Sequence, residues 1–161
     1  MRRSSMRLPL AAALLLGGAT AALADVAKDP SGTWLTQDGR AKFRIDRCGP
    51  GRANVCGKVV WLKVPMTDAG TPRTDVKNPD PAKRNRPVLG LTIMDGLKPD
   101  GEKFSGQIYN VEEGKVYSVS VARESEAELS ISGCLLQVLC GSQTWTRVPD
   151  VNQQAATRGT P

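Results

Sequence analysis

The sequence predicts an all-β protein, an antiparallel meander of about eight short strands closed into a disulfide-stapled barrel. Three observations carry this. The 161 residues include 16 Gly and 11 Pro, a richness in turn formers that favours short strands over long helices. Apolar and polar residues alternate in short runs separated by turn signals, with no amphipathic helical repeat. Four Cys bracket two of the turns.

The strands follow in order. Thr33 to Gln37 ends at Gln-Asp-Gly, a tight turn. Arg40 to Arg47 alternates, with Ala41, Phe43 and Ile45 on one face and Lys42, Arg44 and Asp46 on the other. Val55 to Val64 is apolar on both faces, Val59 and Trp61 opposing Val60 and Leu62. A long polar stretch, Pro65 to Pro87, interrupts the pattern. Val88 to Met94 is the next strand, closed by Asp95-Gly96. Lys103 to Val111 carries Phe104 and Ile108 on one side. After Glu112-Glu113-Gly114 comes Lys115 to Arg123, where Tyr117, Val119 and Val121 share a face. Glu128 to Ser132 and Gln143 to Val148 complete the set. Every Trp, Tyr and Phe falls inside a strand, as a small core recruits its largest apolar side chains. An eight-stranded meander can close on itself and so remove its edges.

Residues 1–24 read as a secretory signal. Arg2, Arg3 and Arg7 precede an apolar stretch from Leu8 to Leu23, and Ala22-Leu23-Ala24 is an A-x-A cleavage site before Asp25. That stretch is shorter than the ~20 residues of a spanning helix, and no later run matches it. The expected organisation is a signal at 1–24, one barrel domain at 25–148 and a disordered polar tail at 149–161. Localisation is then periplasmic or secreted. Loss of the three Arg would lower the formal charge from +6 to +3. The remaining cations are interleaved with acids except at Lys77 to Arg86, a pattern that argues against nucleic acid as a partner.

Four Cys in an exported chain suggest two disulfides. Cys48 and Cys56 enclose a Gly-Pro-Gly turn. Cys134 and Cys140 would stand ~20 Å apart on one straight strand, so a bond between them requires a tight turn. The favoured pairing is Cys48–Cys56 and Cys134–Cys140. A four-Cys zinc site would need closer spacing within each pair, and no metal or other cofactor is expected.

The absence of His excludes Ser-His-Asp and Cys-His catalysis and His-ligated zinc. No phosphate-binding glycine loop is present either. The remaining catalytic candidates are Asp, Glu, Lys, Tyr, Ser and Thr, among them a carboxylate pair, Asp75 with Asp80 or Asp95 with Glu112, as a hydrolase would use.

The most distinctive segment is Thr74-Asp-Val-Lys-Asn-Pro-Asp-Pro-Ala-Lys-Arg-Asn-Arg-Pro87. Its prolines restrict it to an irregular path. Asp75, Lys77, Asn78, Asp80, Arg84 and Arg86 are candidate ligand-binding residues, the cations taking an anion while the acids hold them. The competing reading is a crossover loop whose Asp side chains cap its own backbone. The apolar tip Leu135, Leu136, Val138 and Leu139 is read as a barrel plug or a contact surface. Gly32-Thr-Trp34 opens the first strand, and Trp145-Thr-Arg147 closes the last. In a closed barrel these strands are neighbours, so Arg147 can lie over the Trp34 ring. This start and late Arg look like the lipocalin–avidin barrels.

Several blocks together resemble the bacterial domain-of-unknown-function family 2147: Gly32 to Gly39, Cys56 to Lys63, Asp75-Val-Lys-Asn-Pro-Asp80, Arg84-x-Arg86-Pro87, Gly90-Leu91, Gly133-Cys134 and Thr144 to Arg147. The resemblance implies an exported calycin-like small β-barrel and no established activity. The leading functional expectation is a small anionic or amphipathic ligand held in or over the barrel. The alternative is an envelope interaction protein whose barrel is filled by its own side chains and whose partner is another envelope protein. A hydrolase comes third.

Overall fold

The computed structural model describes residues 28–135 and 139–150. The signal segment and Asp25, the centre of the apolar tip and the tail beyond Asp150 lie outside the described residues. The chain forms a closed antiparallel barrel in sequence order: β1 (Gly32–Leu35), β2 (Ala41–Cys48), β3 (Asn54–Leu62), β4 (Thr92–Asp100), β5 (Lys103–Asn110), β6 (Lys115–Arg123), β7 (Glu128–Leu135) and β8 (Leu139–Val148). Short β1 makes the closure. Its Trp34 faces Phe43 of β2 on one side and Arg147 of β8 on the other. Among the described residues no helix is long and apolar enough to cross a membrane.

The two ends differ. The β2–β3, β4–β5 and β6–β7 turns form a closed base. The β1–β2 and β5–β6 turns and the long segment 63–91 surround an open mouth. Within the lower half, Trp34, Ile45, Val55, Leu97, Phe104, Val121 and Leu129 are all but fully buried. Two glycines make room for this packing. A Cβ on Gly57 would stand 2.6 Å from Met94 Cε, and one on Gly106 2.6 Å from Leu97 Cδ2. Neither position tolerates a side chain without displacing a core residue.

The strands depart from the sequence expectation at two bulges, and β7 and β8 are longer than expected, running to Leu135 and from Leu139. The fourth strand does not stop at Asp95-Gly96. It begins at Thr92 and runs on to Asp100, because Gly96 adopts φ 69° where the β4–β5 register shifts. In β3 a register shift leaves Val60 between the pairs Phe43–Val59 and Lys42–Trp61. Alternation therefore inverts after Val59. Leu62 joins Val59 against the interior, while Trp61 lies under the Lys42 ammonium at 4.9 Å.

Both disulfides take the favoured pairing, with Cα–Cα distances of 5.9 Å for Cys48–Cys56 and 4.0 Å for Cys134–Cys140. The first staples the base and the second the tip of β7–β8 beside the mouth. Past Val148, Asp150 is tied into the fold. Its Oδ1 accepts from Thr33 Oγ1 at 2.5 Å and from Arg44 at 2.6 Å. Ordered contacts thus reach into the segment assigned to the tail, because β1 and β2 offer it a hydroxyl and a guanidinium.

Candidate functional site: the barrel mouth and its bracing loop

Above the packed lower half the barrel is hollow. A cavity of about 1240 Å³ opens at the mouth. Phe43 and Trp145 stack there, ring centroids 4.7 Å apart and planes 14° from parallel. Val59, Ile93, Ile108, Val119 and Ile131 continue the apolar wall. The Trp145 indole N–H is satisfied by Gln143 Oε1 at 3.0 Å, so this surface presents carbon rather than an unpaired donor.

The mouth is polar. Asp38, Arg40, Lys63, Arg73, Lys77, Glu112 and Glu113 all contribute to it. The acids are engaged within the protein. Asp38 accepts from Thr36 Oγ1 at 2.6 Å and from the Arg40 backbone N–H at 3.0 Å, and these contacts, the Thr36 bond foremost, hold its carboxyl below the ordinary value. Glu112 pairs with Arg40 at 3.6 Å, joining the β1–β2 and β5–β6 turns. Glu113 accepts from Asn110 at 3.0 Å and from the Tyr117 hydroxyl, a bond that raises the Tyr117 pKa.

One side of the mouth is built by segment 63–91, and the conspicuous polar residues of the sequence brace it. Asp75 is fully buried. Its Oδ1 accepts from the Tyr109 hydroxyl at 2.7 Å. Its Oδ2 accepts from Asn78 Nδ2 at 2.8 Å, Arg86 Nε at 2.9 Å and Arg86 NH2 at 2.8 Å. A buried carboxylate is tolerated here because each oxygen meets a donor and one donor carries the opposite charge. Asn78 extends the network, donating to Tyr109 Oη at 3.0 Å and accepting from the Asp80 N–H at 2.9 Å. Asp80 caps the 3-10 turn Pro81–Lys83 through the Ala82 N–H at 3.0 Å. Arg84 Nε donates to the Asn78 carbonyl at 2.8 Å. Arg86 also lies over the Tyr109 ring, 5.6 Å from its centroid. Burial raises the Tyr109 pKa, and the hydrogen bond to Asp75 raises it further.

Five of the six predicted residues, Asp75, Asn78, Asp80, Arg84 and Arg86, are thus brought together. Lys77 stands apart and lines the cavity. Tyr109, the strand partner of the cluster, was missed by sequence reasoning. Its one signal is a hydroxyl-bearing aromatic on β5, which needs a polar partner when covered. The carboxylate pairs considered for catalysis have separate partners. Asp95 lies on β4 3.6 Å from Cys56 Sγ, whereas Glu112 pairs with Arg40 at the mouth. No group of three or more Asp, Glu, Cys or His suited to a metal occurs among the described residues.

At the base, the Arg147 guanidinium carbon lies 5.3 Å from the Trp34 ring centroid, and Arg147 also donates to the Ser31 carbonyl at 3.3 Å. The Trp34 indole N–H donates to the Pro30 carbonyl at 2.9 Å. Gly32 is held beneath this arrangement at φ 151°, where a Cβ would sit 3.0 Å from Arg147 NH2.

A closed eight-stranded meander with a Gly-x-Trp start, an Arg over that Trp and a cavity at one end defines a lipocalin-like barrel. Among solved structures, "Protein HP1028 from the human pathogen Helicobacter pylori belongs to the lipocalin family" shares the fold. The TM-score is 0.65 and the sequence identity 21%, covering 80% of this chain and 89% of that one. The chain belongs to the family described as "Uncharacterized protein conserved in bacteria (DUF2147)", whose profile matches residues 32–147. No curated protein matches the sequence.

Proposed function

We propose that this is an exported binding protein whose barrel holds a small amphipathic molecule, its apolar part against the Phe43–Trp145 stack. The observation that carries this reading is the hollow upper half. Its wall is apolar, its rim polar, and its volume of about 1240 Å³ exceeds the roughly 300–1,000 Å³ of common small-molecule sites. Export is supported by two disulfides, which persist in oxidising compartments, and by the leader-like sequence of residues 1–24. In this reading the Asp75 network braces the loop and the ligand meets the cavity-lining residues instead.

The test is native mass spectrometry of protein recovered from the periplasm of producing cells, joined to titration with an apolar fluorescent probe. A co-purifying small molecule that the probe displaces, with a change in Trp145 emission, is the expected result. A ligand-free mass together with no probe binding overturns the reading.

A further inference from the structure

Resting on the cavity reading above, we infer that the mouth selects an anionic head group, and that Lys63, Arg73 and Lys77 form its seat. The basis is an asymmetry of partners. Each of the three acids lining the mouth is committed: Asp38 to Thr36 and the Arg40 backbone, Glu112 to the Arg40 side chain, Glu113 to Asn110 and Tyr117. Lys115 adds a further contact to Glu113 at 3.7 Å. Lys63, Arg73 and Lys77 line the same cavity and have no ion-pair partner among the described residues.

The two sets come from different chain segments that meet at the rim, the Lys63 N–H donating to the Arg40 carbonyl at 2.8 Å. The acids belong to the β1–β2 and β5–β6 turns. The cations belong to the end of β3 and to the loop that follows it. The loop is held in register by backbone bonds, Arg73 N–H to the Pro65 carbonyl at 2.9 Å and Val88 N–H to the Arg73 carbonyl at 3.0 Å. The Asp75 network fixes the segment on which Lys77 is carried. The seat therefore stands on braced backbone, which limits the ordering cost of binding. Exposed Val64 and Val76 flank it on the same segment and line the cavity too. An amphiphile with its chain inside and its charged head at the rim satisfies both features. Carboxylate and phosphate heads share the required chemistry, since each is an anion that ammonium and guanidinium groups bind by charge-assisted hydrogen bonds.

The experiment compares four ligands of equal chain length, a long-chain carboxylate, an alkyl phosphate, the alcohol and the alkylammonium, read by Trp145 fluorescence and calorimetry. At least one anion should bind more tightly than the alcohol, the ammonium should bind most weakly, and added salt should narrow the gap. The tighter anion identifies the head. Lys63→Gln, Arg73→Gln and Lys77→Gln should each weaken that anion about two- to fivefold, as exposed charge pairs do. Alcohol affinity should stay within about twofold of wild type, which also reports intact folding. Equal affinity of the anions and the alcohol in wild type overturns the seat while leaving the cavity reading in place. Variants that weaken alcohol and anions alike overturn the seat in the same way. Failure of all four ligands to bind overturns both.

Discussion

Asp75 is the residue on which the mouth depends most. Arg86 is part-exposed, but the carboxylate it serves is buried, so removing Arg86 leaves a charge with only neutral donors. Arg86→Ala should cost about 1.5–3 kcal/mol in a urea melt, the range for hydrogen bonds to a charged group. Tyr109→Phe should cost a similar amount, about 1.5–3 kcal/mol, because it removes the hydrogen bond that Asp75 Oδ1 accepts. The double variant should fall short of the sum, since the two donors serve one carboxylate. Additivity would show that they act separately. At the base, Asp150 offers a pH test. Its carboxyl is held below its ordinary value of 3.8 by the Thr33 hydrogen bond and by Arg44. A depressed folded value means that its stabilisation is present above pH 3.8 and is lost as pH falls through the folded value. Acidification through that depressed value, below pH 3.8, should therefore release the Asp150 strap in wild type. Asp150→Asn should lack that part of the acid transition, as NMR shifts of the Thr33 amide would report.

Among the elements, the β5–β6 turn and the mouth loop are locked together at one atom. Gly114 has φ 68°, and a Cβ there would lie 2.0 Å from the Lys77 carbonyl oxygen. Gly114→Ala therefore meets two penalties, left-handed backbone for a residue with a Cβ and a backbone collision. We expect a loss of about 1–3 kcal/mol and faster amide exchange in residues 75–78. Unchanged exchange there would separate the turn from the loop. The disulfides act on different ends. Replacing either Cys pair by Ser should cost about 2–3 kcal/mol for loops this short. Only loss of Cys134–Cys140, beside the mouth, should alter probe dissociation, while loss of Cys48–Cys56 should spare it. Equal effects would show that the ends are coupled.

For the whole molecule, the architecture was legible because strand periodicity, turn residues and Cys spacing are local signals. Trp34 and Arg147 could be paired from sequence because closure makes the first and last strands neighbours. What escaped was non-local or decided by single-residue geometry. The bulge at Val60 turned Trp61 outward and Leu62 inward, and Gly96 carried β4 through an apparent turn. The polar character of segment 74–87 was visible, but its purpose was not. Tyr109 completes it from 31 residues beyond Asn78, and no spacing rule predicts such a partner. The hollow upper half was likewise beyond sequence, since alternation states which side chains face inward and not whether they meet. Trp34→Ala, which opens the packed base, should cost about 3–5 kcal/mol. A smaller loss would mean that the base collapses around the void.

The Phe43–Trp145 stack has a consequence for selectivity by length. Gly57 and Gly106 allow Met94 and Leu97 to fill the interior, and the aromatic pair lines the space left open. If the barrel holds a chain as proposed, its length would be matched to the cavity by a gauge built from a few side chains. Trp145→Leu would lengthen that gauge and shift preference toward longer chains, whereas Val119→Phe would shorten it. On the proposed function the rim, set on other residues, would go on reading charge unchanged, and the barrel would measure two properties of a guest independently.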